Sequence, residues 1–80
     1  MKISVRSYGA MGDMVGKTTN LEIHEGARIS DLTHMLVTQF PKAQGLMPSC
    51  CFAISNQFAS IDTELKPDQE VSILPPASGG

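Results

Sequence analysis

The stretch from Ile29 to Phe40 reads ISDLTHMLVTQF, and its apolar side chains recur at the spacing of one face of an α-helix. These apolar residues are Ile29, Leu32, Met35, Leu36, Val37 and Phe40. We expect Ser30 to cap the amino end of the helix, because a serine oxygen can accept a free backbone N–H. Pro41 should end it, because the residue before a proline avoids helical geometry. The remaining segments show no such spacing, so one helix is predicted.

Short strand-like segments lie on both sides of this helix, as polar–apolar alternation or as brief apolar runs. They are residues 2–8, 19–23, 50–55, 58–59 and 70–74. Residues 9–17 contain three glycines and are interpreted as a loop, with residues 41–49 as a long connection and Asn56-Gln57 as a turn. One helix can cover only one face of a sheet. The sequence therefore predicts an α+β fold, with a mixed sheet of four to five strands and one main helix packed on one face.

Size and composition limit the chain to one small domain. Eighty residues with 41% hydrophobic content support a single core. We expect residues 1–74 to form the domain and residues 75–80 to form a flexible tail. A net charge of −2, with dispersed lysines and arginines, argues against nucleic-acid binding. We find neither an apolar run of membrane-spanning length nor a signal-peptide pattern, so a cytoplasmic protein with protein partners is expected.

The cysteines and histidines do not indicate a metal site. Cys50 and Cys51 are adjacent, so on a strand their side chains point to opposite faces and cannot readily form a disulfide or share a metal. We expect both thiols to be buried. His24 and His34 lack partners at ligand spacing and are expected on the surface. The chain also lacks the nucleophile, base and orienting group of an independent enzyme.

Strand alternation predicts a docking surface on the side of the sheet that faces away from the helix. Tyr8 and Leu74 each lie at the end of a strand and face that side. They are apolar exceptions on a polar face, where a partner that grips the segment after Leu74 would contact them. The alternative is that both are isolated exposed apolar residues, which are common.

The last six residues read PPASGG. Pro75 and Pro76 favour an extended polyproline conformation, in which six residues project about 18–20 Å. Gly79 and Gly80 have no side chains, so the tip would fit a slot too narrow for other residues. A Gly80 carboxylate is an anion at neutral pH and a poor electrophile, so it would need activation, most simply as an acyl-adenylate. The alternative is an ordinary frayed terminus, since Pro, Ser and Gly are common in disordered ends.

Several segments resemble the ubiquitin-like β-grasp sulfur carriers, a family that includes the small subunits of molybdopterin synthase and the thiamine-pathway carriers. The β-β-α-β-β order and the Gly-Gly ending are those of this family. Residues 75–80 are similar to the Pro-Pro-x-x-Gly-Gly ending of the molybdopterin synthase small subunits. Residues 53–57 resemble the family's strand and Asn-Gln turn, and residues 65–71 resemble its Leu-x-Asp-Gly-Asp-Glu-Val segment. The resemblance covers the whole chain.

The resemblance implies a sulfur carrier that is not catalytic alone. An adenylyltransferase related to the ubiquitin-activating enzymes would use ATP to adenylate Gly80, and a sulfur donor would convert it to a thiocarboxylate. The tail, with Gly79 near its tip, would enter the large catalytic subunit of the synthase, in a heterotetramer of two small and two large subunits. There the sulfur would pass to cyclic pyranopterin monophosphate in molybdenum cofactor biosynthesis. Contacts with that subunit would come from Tyr8, Leu74, Pro75, Pro76, Ala77 and Ser78. The resemblance implies no bound cofactor or metal.

Three other functions fit features of the same sequence. A carrier for thiamine or transfer-RNA thiolation would use the same terminal chemistry, although thiamine-pathway carriers are typically shorter and lack the double proline. A ubiquitin-like protein modifier would join Gly80 to a lysine amine. A plain interaction domain would not need its terminus. The double proline favours the molybdopterin synthase subunit.

Overall fold

The computed structural model describes residues 1–76, which form one mixed sheet of five strands with helices on one side. The strands are β1 (Lys2–Ser7), β2 (Thr18–Glu22), β3 (Cys51–Ile54), β4 (Gln57–Ala59) and β5 (Glu70–Leu74). The helices are α1 (Gly9–Val15) and α2 (Ile29–Gln39), and two short 3₁₀ turns cover Pro41–Gly45 and Met47–Ser49. The predicted α+β class is confirmed. The tail residues Ala77, Ser78, Gly79 and Gly80 lie outside the described residues.

The strand order β2-β1-β5-β3-β4 places the first and last strands side by side at the centre of the sheet. β1 and β5 are parallel, whereas the other neighbouring pairs are antiparallel. Because parallel strands end on the same side of a sheet, the chain leaves β1 and β5 at neighbouring points. The backbone N–H of Tyr8 donates to the carbonyl oxygen of Ile73 at 3.3 Å. The end of β5 and the following Pro75 therefore lie beside the start of α1.

The core lies between one face of the sheet and α2. The central strands contribute the buried residues Ile3, Val5, Val71 and Ile73, and α2 contributes Ile29, Leu32 and Leu36. Three further apolar residues of the predicted helix, Met35, Val37 and Phe40, are only partly buried and pack at the margin of the core. Polar–apolar alternation therefore predicted the inward faces of β1 and β5 correctly, and helical spacing predicted the inward face of α2.

The prediction of a loop in residues 9–17 was wrong, because Gly9–Val15 forms α1. Met11 and Val15 are four residues apart and both enter the core. Such a short apolar pair gives little signal in a segment with three glycines. Gly12 allows α1 to approach β1 closely, since an added Cβ would lie 2.8 Å from the carbonyl oxygen of Ser7. Tight packing here outweighs the low helix propensity of glycine.

Replacement of Gly12 by alanine should destabilise the fold. Alanine is favoured over glycine in a helix by about 1 kcal/mol, but its Cβ would meet a backbone oxygen at 2.8 Å. Relief of that contact requires α1 to move away from β1, so we expect a net loss of about 1–3 kcal/mol in urea unfolding. Gly45→Ala is the control, because its Cβ would enter open space. A Gly12→Ala protein as stable as the parent would contradict the close approach of α1.

The amino end of α2 is capped by Arg28 rather than by the predicted Ser30. The backbone N–H of Arg28 donates to Oδ2 of Asp31 at 2.8 Å. Ser30 lies inside the first turn, where its N–H donates to the carbonyl oxygen of Ile61 at 2.9 Å. The predicted capping residue was therefore wrong by two positions. The helix ends at Gln39, before Pro41, as predicted.

The hairpin between β3 and β4 turns at Ser55 and Asn56, one residue earlier than predicted. These two residues have φ values of 52° and 64°, the left-handed conformation that two-residue hairpin turns favour. Gln57 is consequently the first residue of β4. Within residues 1–76, we find no helix that is both long enough and apolar enough to cross a membrane.

Candidate partner-docking site

The face of the sheet opposite α2 carries three apolar side chains, Tyr8, Phe58 and Leu74, which we call the outer patch. Tyr8 directly follows β1, and Leu74 is the last residue of β5. Phe58 lies on β4 opposite Ala53 of β3. The three side chains line one shallow depression, together with Ala53, Asn56 and Ser72. The outer patch thus extends from the centre of the sheet to its β4 edge.

Two of the three apolar side chains of the outer patch are exposed. Phe58 is 80% exposed and Tyr8 is 42% exposed, whereas Leu74 is half-buried. Burial of a large apolar side chain contributes about 1.5–3 kcal/mol, so Phe58 alone could supply a substantial part of the affinity for a partner. Leu74 directly precedes Pro75, so a partner that covers the outer patch also lies close to Pro75.

Polar and charged side chains border the outer patch on the side of β1 and β2. Nε of Arg6 lies 4.0 Å from Oε2 of Glu70, and both side chains are about half exposed. Oγ of Ser4 donates to Oδ1 of Asn20 at 3.0 Å. Such exposed pairs add little stability, but an apolar centre with a polar rim is the usual anatomy of a protein interface. The arrangement therefore suits association with another protein.

A family model described as the ThiS family matches residues 5–80. The chain belongs to the ThiS family. It is 29% identical to the molybdopterin synthase sulfur carrier subunit of Chlamydomonas reinhardtii over 83 residues, which cover 100% of both chains. The suspected resemblance to sulfur carriers of this kind is therefore confirmed.

Solved structures with the same fold cover nearly all of this ThiS-family chain. SAMP1 from Haloferax volcanii matches with a TM-score of 0.86 and 16% identity, over 100% of both chains. A putative molybdopterin converting factor subunit 1 from Pyrococcus furiosus matches with a TM-score of 0.86 and 23% identity, over 96% of this chain and 99% of its own. A complex of subunits 1 and 2 of molybdopterin-converting factor from Helicobacter pylori matches with a TM-score of 0.72 and 20% identity, over 100% of both chains. The predicted ubiquitin-like β-grasp fold is confirmed.

The predicted site residues of this ThiS-family chain fall into two groups. Tyr8 and Leu74 lie together on the outer patch, and Pro75 and Pro76 follow as half-buried residues at the root of the tail. Ala77, Ser78, Gly79 and Gly80 lie outside the described residues. The shared depression argues against two isolated apolar residues. Participation of any of these residues in partner binding, or of Gly80 in chemistry, stays a prediction.

Sequence reasoning missed Phe58 as a site residue. Its strand, β4, has only three residues, which is too short for alternation to reveal a face. Pairing with Ala53 places Phe58 on the outer side of the sheet. The sequence offered one signal of an exposed apolar site here. Phe58 is a large aromatic residue next to the polar Gln57 and close to the predicted turn.

The two cysteines of the ThiS-family chain have different environments. Cys50 is partly buried, and its Sγ donates to the carbonyl oxygen of Leu46 at 3.5 Å. Burial, with a smaller contribution from the neighbouring Cys51, raises the pKa of the Cys50 thiol. Cys51 is exposed beside Leu74 on the outer side of the sheet, so the prediction of two buried thiols was wrong for Cys51. Because its thiol is accessible to reagents, Cys51 is the better probe for alkylation.

Both histidines are exposed, as predicted. Nε2 of His24 lies 4.0 Å from Oδ2 of Asp31 on the surface. His34 lies on α2, on the side of the domain away from the outer patch. Across residues 1–76, no group of three or more His, Cys, Asp or Glu side chains is arranged to hold a metal ion.

Proposed function

We propose that this ThiS-family chain is the sulfur carrier subunit of a molybdopterin synthase. Gly80 is adenylated, converted to a thiocarboxylate, and donates its sulfur to cyclic pyranopterin monophosphate. The observation that carries the proposal is the position of the outer patch at the root of the tail. Leu74 belongs to the patch and Pro75 begins the tail, so one partner can hold the domain and receive the tail together.

Two relatives support this pathway and this partner. The similar protein from Chlamydomonas reinhardtii is named a molybdopterin synthase sulfur carrier subunit and aligns over its full length. The similar Helicobacter pylori structure is a complex of subunits 1 and 2 of molybdopterin-converting factor. We therefore take the large subunit of the synthase as the main partner. A heterotetramer of two small and two large subunits completes the proposed enzyme.

The terminal chemistry follows from the properties of a carboxylate. An oxygen of the Gly80 carboxylate attacks the α-phosphorus of ATP, pyrophosphate leaves, and a mixed anhydride with AMP forms. Adenylation makes the carbonyl carbon electrophilic, so a sulfide-equivalent donor can attack it and displace AMP. The product is a thiocarboxylate, which is a better nucleophile than the original carboxylate. A ubiquitin-activating-enzyme-like adenylyltransferase supplies the pocket for these steps, and ATP binds there rather than on the carrier.

The carrier and its partners supply different parts of the proposed reaction. The carrier provides the reacting atom at Gly80, a thin tip at Gly79, and a docking surface centred on Tyr8, Phe58 and Leu74. The large subunit provides the pocket in which the pterin substrate meets the thiocarboxylate. Because docking and chemistry involve different parts of the carrier, they can be disrupted separately.

Reconstitution with defined partners tests the pathway. Thiocarboxylated carrier is mixed with the large subunit of molybdopterin synthase and cyclic pyranopterin monophosphate, and the pterin product is followed by mass spectrometry. We expect one carrier thiocarboxylate to be consumed for each sulfur atom that the pterin gains, and no product from carrier with an unmodified carboxylate. Failure of this transfer, with delivery of sulfur to a thiamine or transfer-RNA thiolation system instead, would reassign the pathway. An isopeptide bond between Gly80 and lysine amines would identify a protein modifier.

A further inference from the structure

The first residue of the tail packs against the turn that opens α1. β1 and β5 run in parallel and end side by side, with the N–H of Tyr8 donating to the carbonyl oxygen of Ile73 at 3.3 Å. Gly9 follows Tyr8 and adopts a φ of 57°. A Cβ built on Gly9 would lie 3.1 Å from Cγ of Pro75. The pyrrolidine ring of Pro75 therefore occupies the space beside Gly9 into which a side chain at position 9 would project.

Two independent features favour glycine at position 9. Its left-handed φ of 57° is unfavourable for residues with a side chain. A Cβ would also press on Pro75, because 3.1 Å is shorter than ordinary van der Waals contact. Gly26 shares only the first feature, since its φ is 80° but nothing lies within 4 Å of its added Cβ. Gly9 is thus distinguished by what it touches rather than by its conformation.

The ring of Pro75 is well suited to set the direction of the segment that follows. The pyrrolidine ring fixes φ, so the orientation of the ring and the course of the backbone are coupled. Pro75 and Pro76 are both half-buried, in agreement with support from the domain at this point. A change in the orientation of the Pro75 ring therefore changes the direction in which the chain leaves the domain.

We propose that Gly9 is a positioning residue that acts through Pro75 to aim the tail. The corner formed by Tyr8 and Gly9 supports one side of the Pro75 ring, while Tyr8 contributes to the outer patch on which the partner docks. The corner thereby couples the docking surface to the direction of the tail. Such preorganisation reduces the ordering cost of tail insertion. The kinetic consequence rests on the proposed function, whereas the contact and its effect on Pro75 do not.

A pair of matched variants tests this role. Gly9→Ala and Gly26→Ala each place a Cβ in a left-handed conformation, so both should lower the melting temperature, Gly26→Ala by about 4–8 °C and Gly9→Ala by at least as much because its Cβ also presses on Pro75. Only Gly9→Ala should shift the NMR resonances of Pro75 and Pro76. The parent should show a cross-relaxation peak between the Gly9 Hα protons and the Pro75 ring protons. Absence of that peak, or equal resonance shifts in the two variants, would overturn the proposal.

Kinetic measurements test the consequence for transfer. Gly9→Ala should lower kcat/KM for sulfur transfer by about tenfold or more, because small misplacements of reacting groups have large effects. Its affinity for the large subunit should fall by much less than kcat/KM, since the outer patch is intact and only the ordering cost of tail insertion rises. Gly26→Ala should change neither quantity. A loss of affinity equal to the loss of transfer would contradict a positioning role.

A double-mutant cycle identifies the contact through which Gly9 acts. Pro75→Ala removes Cγ, so Gly9→Ala should have little further effect on transfer in that background. If instead the two substitutions lower kcat/KM independently, so that their fold-effects multiply, Gly9 does not act through Pro75 and the proposal is overturned. If the parent transfers no sulfur to any acceptor, the proposed function fails, and the NMR comparison of the two glycine variants alone decides the inference.

Discussion

Removal of Gly79 and Gly80 should reduce sulfur transfer to background while the melting temperature changes by less than about 1 °C. The loss should be complete because the proposed reacting atom is the carboxylate carbon of Gly80. A shortened chain would present the carboxylate of Ser78, which is set back from the tip and carries a side chain. Binding to the large subunit should persist in weakened form, because the outer patch remains. Transfer is measured with the activating enzyme, ATP, a sulfur donor and the large subunit.

A second variant separates the need for a carboxylate from the need for a thin tip. Gly80→Ala keeps the terminal carboxylate and adds one methyl group. If the tip enters a channel too narrow for a side chain, as proposed, Gly80→Ala should be impaired in both adenylation and transfer. Unchanged transfer by the shortened chain would contradict the carrier function. Unchanged transfer by Gly80→Ala alone would retain the carrier function but reject the narrow slot.

Leu74→Asp should weaken binding of the large subunit by about 30-fold or more. Docking on the outer patch would have to desolvate the new carboxylate, and an unpaired buried charge is costly. Leu74 is half-buried on the outer side of β5, so the fold should survive with only a modest loss of stability. The dissociation constant is measured by calorimetry, and the folded state by circular dichroism.

Two further variants show whether the outer patch is the docking face. Phe58→Asp should also weaken binding, because Phe58 is 80% exposed on the same patch. Ile61→Asp is the matched control, since Ile61 is 54% exposed but lines a groove with α2 on the other side of the domain. Weakening by Ile61→Asp but not by Phe58→Asp would assign docking to that groove, and equal weakening by both would reject the outer patch as the specific docking face. If Leu74→Asp unfolds the domain, Leu74 is part of the core and Phe58→Asp decides the question.

Alkylation of Cys51 gives an independent footprint of docking. Cys51 is exposed and lies opposite Leu74 in the pairing of β3 with β5. Binding of the large subunit to the outer patch should slow the alkylation of Cys51. The slowing should be lost with Leu74→Asp at the same subunit concentration. If Cys51 of the parent is alkylated at the same rate with and without a saturating concentration of the large subunit, docking at this face is contradicted.

The fold was predictable where periodicity and burial coincide. Alternation identified the inward residues Ile3 and Val5 of β1, and helical spacing identified Leu32 and Leu36 of α2. α1 was not predictable, because its stability depends on a close approach to β1 that Gly12 permits. From the sequence alone, Gly12 argues against a helix. In the folded chain, its lack of a side chain is what allows α1 to pack closely on β1.

The candidate site was predictable only in part, for related reasons. Tyr8 and Leu74 could be placed because each continues the alternation of a central strand. Phe58 required knowledge of which strand β4 pairs with, and Cys51 required the register of β3. The contact between Gly9 and Pro75 depends on the parallel pairing of the first and last strands, which joins residues from opposite ends of the chain. Local patterns do not contain such long-range relations.

The carrier function is tested most simply by the intact mass of the protein after incubation with its activating enzyme, ATP and a sulfur donor. We predict replacement of one oxygen atom by sulfur at the Gly80 carboxylate, located by fragmentation of the carboxyl-terminal peptide. The same mass shift should be absent from protein that lacks Gly80. Protein that keeps its unmodified mass under these conditions would contradict the carrier function.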